Sequence, residues 1–166
     1  RFTDAMAGLF LYHGITNVRD TGGLLEDLLP VVDTLRSAGS NAPNIWYSGP
    51  LLDGKDVVYD GVNFPGLGIA NPTPEAALAN IAEIHAAGAS FLKIYEMVTP
   101  EVFAAIVAEA GARNLPIDGH VPLSMRARDV APQVQSLEHL RNYEMDCVEN
   151  PELWLATRQA ELANVT

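Results

Sequence analysis

The sequence has 166 residues, with 21 acidic and 10 basic side chains, a formal net charge of −11 and 48% hydrophobic content. Such a chain is long and apolar enough for one folded domain with a sizeable core. The acidic balance argues against a nucleic-acid or anionic-membrane partner, both of which need clustered Lys and Arg, and no apolar run reaches the roughly 18 residues of a membrane span.

The single cysteine, Cys147, leaves no internal disulfide framework and fits a reducing compartment, with the cytoplasm favoured. The sequence opens at Arg1 with neither an initiator Met nor a signal-peptide pattern, and Phe2 to Tyr12 has the character of the inside of an element. A processed product, a partial reading frame or a piece of a longer protein would each begin so, and the expectation is a piece.

In chain order, Asp4 to Tyr12 has helical apolar spacing and is closed by Gly14. Ile15 to Asp20 follows as a strand, broken by Thr21-Gly22-Gly23. Leu25, Leu28, Leu29, Val32 and Leu35 mark a second helix that stops near Gly39, with Pro30 in its first turn or kinking it. Asn44 to Ser48 is a strand ended by Gly49-Pro50, and Leu51 to Asn71 is one long Gly-rich irregular stretch of the kind that serves as a functional loop or lid.

Thr73-Pro74-Glu75 and Thr99-Pro100-Glu101 are matching helix starts: an N-cap hydroxyl, proline at the first helical position, and an acid near the positive end of the dipole. Between the two helices lies Ser90 to Tyr95, an apolar strand with Lys93 at its centre. Pro116 to Val121 is a further strand, Ala127 to Gln133 a short helix, Ser136 to Leu140 a last strand, and Pro151 to Leu162 a closing helix. Five strands, each followed by a helix or a loop and helix, imply parallel pairing through right-handed crossovers. Two α/β architectures remain, a doubly wound sheet or part of a (β/α)8 TIM barrel. A whole barrel needs about 250 residues.

Lys93 needs an explanation, because a strand covered on both faces is a costly place for an ammonium ion. A snorkelling stem, an ion-pair partner, or chemistry that uses an amine in a dry site would each supply one. His120 and His139 follow at intervals of 27 and 19 residues, each about one strand–helix unit. Consecutive parallel strands place such residues side by side on one rim, where α/β enzymes build their sites, and neutral imidazoles there suit zinc. His13 and His85 are expected to be structural, as is Glu138, on the strand face opposite His139. Arg19 lines a substrate pocket or supports the turn that follows it. Tyr95, on the same strand face as Lys93, binds substrate or packs.

Four segments carry a resemblance. Gly14-Ile15-Thr16-Asn17-Val18-Arg19-Asp20-Thr21-Gly22-Gly23, Leu92-Lys93-Ile94-Tyr95 with Thr99-Pro100-Glu101, Gly119-His120-Val121-Pro122, and Ser136-Leu137-Glu138-His139-Leu140 resemble, in order, strands two, four, five and six of the amidohydrolase superfamily. The likeness is to its imidazolonepropionase/Xaa-Pro-dipeptidase-like branch. It implies a partial (β/α)8 barrel, about strands two to six, forming one domain over residues 1–166. It also implies metal-dependent hydrolysis of a C–N amide-type bond. By position, Lys93 would be the carboxylated lysine that bridges two metal ions, and His120 and His139 would bind the second ion.

The metal expected is zinc, two ions in an intact site and one or none in this chain. The family's first-strand His-x-His pair and its eighth-strand proton-shuttle aspartate have no counterpart in the sequence, so no catalytic residue is assigned. The substrate expected is a small amide or dipeptide. The alternative is a non-catalytic assembly or binding module derived from such a barrel, forming a homo-oligomer through its open edges.

Overall fold

A computed structural model describes residues 4–164. The element order is α1 (Asp4–Tyr12), β1 (Asn17–Asp20), α2 (Leu25–Ala38), β2 (Asn44–Tyr47), β3 (Leu51–Asp53), β4 (Gly68–Ala70), α3 (Pro74–Ala86), β5 (Leu92–Ile94), α4 (Pro100–Arg113), β6 (Ile117–Gly119), α5 (Ala127–Val130), β7 (Ser136–Leu137) and α6 (Pro151–Asn164). The two Thr-Pro starts behave as their chemistry dictates: the Thr73 and Thr99 hydroxyls each accept from the backbone N–H three residues on, at 3.3 Å. Pro30 lies in the second turn of α2, not the first, and the helix continues through it.

Every strand pair is parallel. β1 pairs with β2, and a second sheet has the order β4-β3-β5-β6-β7. The two sheets are stitched together where the chain passes from β2 to β3. Ser48 N–H donates to the Asp20 carbonyl at 3.1 Å and Ser90 N–H to the Tyr47 carbonyl at 2.8 Å, so β2 and β3 act as one strand broken at Gly49, whose φ is 74°. The sequential order β1, β2/β3, β5, β6, β7 is that of successive barrel strands.

The stretch 51–71 is not wholly irregular. Its two ends are strands β3 and β4, paired with each other, and β4 takes the edge of β3 that β1 takes on β2. At three residues each, these strands are too short for alternation to show in sequence.

Leu92 and Ile94 of β5 face outward into a core shared with Ile81 and Ile84 of α3 and Val102, Phe103 and Ile106 of α4. By the period of two, Lys93 then faces inward, and the cross-strand register Lys93–Asp118 and Asp118–Ser136 carries that inner face to β6 and β7. A Cβ on Gly119 would collide with the Ile94 backbone, so glycine is what allows β6 to approach β5 there. α6 is different from α3 and α4: none of its residues is buried, and Leu153 and Trp154 are exposed.

Candidate active site

Beyond the C-terminal ends of β5, β6 and β7 lies an open cavity of about 530 Å³. Lys93, Tyr95, Glu96 and His120 line it with the more exposed His139 and Arg141, and Val58, Tyr59, Phe64 and Leu67 of the β3–β4 connection complete its lining. Four of the residues singled out in the sequence therefore meet at one cavity: Lys93, Tyr95, His120 and His139. Arg19 does not line it.

Two ion-pair relays support this floor. In the first, Lys93, 2% exposed, contacts Glu138 Oε2. Glu138 Oε1 accepts from Arg19 Nη2 at 2.7 Å, and Arg19 Nη1 pairs with Asp118. The Arg19 guanidinium also lies 5.1 Å from the centroid of the Phe91 ring. Arg19 thus ties β1 to β6 and β7 through the barrel interior. Of the open explanations for Lys93, the ion-pair partner is present. Burial nonetheless pushes its amine down to about 8, against the upward pull of Asp118 and with the further downward push of Arg19.

In the second relay, His120 Nδ1 lies 3.0 Å from Glu96 Oε1, and Glu96 is also held by Arg141, through Nε and, at 3.4 Å, Nη2. Burial raises the Glu96 carboxyl, but the hydrogen bonds from His120 and Arg141 and their charges outweigh it and hold it at about 2. With Nδ1 engaged, Nε2 is the His120 nitrogen left for a ligand. Burial, then the charges of His120, Lys93 and Arg141, lower the pKa of His139, which favours the neutral imidazole that binds a metal. Burial and Glu96 raise that of Tyr95.

Glu138 was expected on the opposite face from the ligands, and the register corrects this. Asp118 lies opposite Ser136, so two residues on, Glu138 shares the inner face with Lys93 and His120. His139 has the outward parity, and it reaches the cavity because β7 has ended and its own φ is 64°. Its side chain stays 68% exposed.

Glu96 and Arg141 were likewise missed. Each sits just past a strand end, and only the left-handed run at His139, Leu140 and Asn142 brings Arg141 back over Glu96. The Asn142 amide anchors that turn by donating to the Val121 carbonyl at 2.7 Å.

His120 and His139 stand edge to face with ring centroids 5.1 Å apart, a donor pair that suits zinc. Among the described residues no group of three or more His, Cys, Asp or Glu is arranged to hold a metal ion, and the Lys93 amine is engaged by Glu138. The residues supply two ready imidazole donors, which is part of a donor set.

No family model and no curated protein matches the sequence. Solved structures do. Bottromycin amidohydrolase aligns with a TM-score of 0.65 and 23% identity over 92% of this chain and 33% of that one. The fold is that of part of an amidohydrolase barrel. A Xaa-Pro dipeptidase with methionine bound in its active site matches with a TM-score of 0.56 and 16% identity, over 70% of this chain and 35% of its own. The A. niger ochratoxinase matches with a TM-score of 0.57 and 20% identity, over 71% and 34%. The chain spans about a third of the length of these amidohydrolase-type structures. Its parallel strands, read in order, match a partial (β/α)8 barrel.

Proposed function

We propose that the chain carries the strand-two to strand-six part of a metal-dependent amidohydrolase site, of the imidazolonepropionase/Xaa-Pro-dipeptidase-like branch, which hydrolyses a C–N amide-type bond in a small amide or dipeptide. The observation that supports it most is the meeting of Lys93, His120 and His139 at one cavity, at the C-terminal ends of three successive parallel strands.

His120 and His139 would hold a divalent metal, zinc by donor type, and Lys93 would join them once its amine is freed from Glu138, gives up a proton to solvent and adds to carbon dioxide as a carbamate. When bound, the metal supplies Lewis-acid polarisation of the amide carbonyl and lowers the pKa of water. The chain's own residues do the rest. Glu96 fixes the ring and tautomer of His120, Arg141 fixes Glu96, and the aromatic wall excludes water from one side of the cavity. Glu138 and Arg19 set the position of the Lys93 amine.

Zinc affinity of the chain, measured by competition with a chromophoric chelator, tests this reading together with hydrolysis of N-acyl amino acids and dipeptides. His120→Ala and His139→Ala should each weaken zinc binding at least about tenfold. Zinc affinity unchanged in both folded variants overturns the assignment. A second reading, an assembly module forming a homo-oligomer, is favoured by the outer edges of β1 and β7, which have no strand partner among the described residues. Light scattering separates the two: a monomer at all concentrations removes the second.

A further inference from the structure

The loop between β3 and β4 brings its own chemistry to the cavity. Phe64, Tyr59, Tyr95, His120 and His139 form an unbroken chain of rings, with successive centroids 5.6, 5.6, 4.6 and 5.1 Å apart. Two of the five rings come from the loop, and both line the cavity that the two histidines line. Tyr59 is not a loose contributor. Its carbonyl accepts from both Leu67 N–H and Gly68 N–H at 3.1 Å. The preceding Val58 N–H donates to the buried Asp53 carboxylate at 2.9 Å, which also accepts from Met97 N–H at 2.7 Å. Farther along, the Asp60 carboxylate caps the tip by accepting from Val62 N–H and Asn63 N–H at 2.8 and 3.1 Å. The loop is thus held at its neck and at its tip, and the wall it presents is formed before any ligand arrives.

Phe64, 54% exposed, is an apolar ring left facing open space beside a cavity of a size that takes a small organic molecule. We infer that Tyr59 and Phe64 form a subsite for an aromatic or bulky apolar group on the substrate, placed so that the group stacks on the loop while the scissile amide lies toward His120 and His139. For the placement of the amide this rests on the amidohydrolase reading; the apolar selectivity does not depend on it. Aromatic rings prefer offset or edge contacts at these separations, which favours a flat side chain over a small one of equal charge.

The test compares N-acetyl-L-phenylalanine with N-acetyl-L-alanine, which share the amide and the carboxylate and differ in the ring. With zinc chloride present, calorimetry should give about tenfold tighter binding for the phenylalanine probe, about 1.4 kcal/mol. The ratio should fall toward one in Tyr59→Leu and in Phe64→Ala. Phe64→Ala removes an exposed ring and is the safer variant for folding. Equal binding of the two probes, binding of neither, or a preference undiminished in both folded variants overturns the subsite. Hydrolysis followed in parallel keeps the two ideas apart. Equal cleavage of both probes with equal binding retains the amidohydrolase reading and removes the subsite. Selective binding with cleavage of neither retains the subsite and counts against the reaction.

Discussion

Lys93 sits on β5 and His120 just past the end of the neighbouring β6, and each is held by a carboxylate that an arginine holds in turn, yet the two relays are built on different scales. The His120 relay is local: Glu96 and His120 lie just beyond β5 and β6, and Arg141 reaches them from the turn after β7. The Lys93 relay crosses the interior, since Glu138 leans on Arg19, which arrives from β1 and also pairs with Asp118 on β6. The difference teaches which relay also closes the fold. Cutting the local one disturbs the orientation of a ligand, whereas cutting the other leaves a buried ammonium and loosens β1 from the strands opposite.

The largest effect should therefore come from Glu138→Ala, which removes the acid in contact with Lys93, leaves only Asp118 near its amine, and should cost about 1–3 kcal/mol in urea unfolding. Adding Lys93→Met should recover most of it, because an apolar side chain needs no partner. A loss of less than about 1 kcal/mol in the single variant would show that the long relay does not close the fold.

The two relays should also part company with pH. Glu96, at about 2 in the folded chain against 4.5 for the free group, contributes stability that is fully present above pH 4.5 and is lost as pH falls toward 2. Lys93, although paired with Glu138, runs the other way because burial dominates. With its folded pKa near 8, below the ordinary 10.5, the unfolded chain binds more protons between those values, and stability rises with pH across that window. Unfolding midpoints from pH 2 to 11 check both limbs. The acid limb should shrink in Glu96→Gln, and the alkaline limb should vanish in Lys93→Met.

Arg141→Ala should have the smallest effect, about 1 kcal/mol or less, because its guanidinium is 58% exposed and an exposed ion pair stabilises little. Its signature would be the midpoint of the Glu96 acid limb moving to higher pH.

Much of this was open to inspection in the amino-acid order. The Thr-Pro starts at Thr73 and Thr99 mark α3 and α4 because cap chemistry is local, and Lys93 draws notice because a cation in an apolar strand is anomalous. What depends on pairing was hidden. That Glu138, not His139, has the inner parity follows only once Asp118 is seen opposite Ser136, since strand faces cannot be assigned without a register. Tyr59 and Phe64 lie in a Gly-rich stretch with no periodicity, and their relation to His120 exists only after β4 pairs with β3. Arg141 finds Glu96 from a turn with left-handed backbone at His139, Leu140 and Asn142, and the leucine in it has no propensity for that conformation.

That left-handed run has a further consequence. Glycine would adopt the backbone of His139 and Leu140 freely, whereas a histidine and a leucine there carry a strain of about 1–3 kcal/mol each. Selection for thermal stability alone would favour erasing this imidazole, so a hardened version of the fold and one that keeps its rim histidine pull the same position in opposite directions.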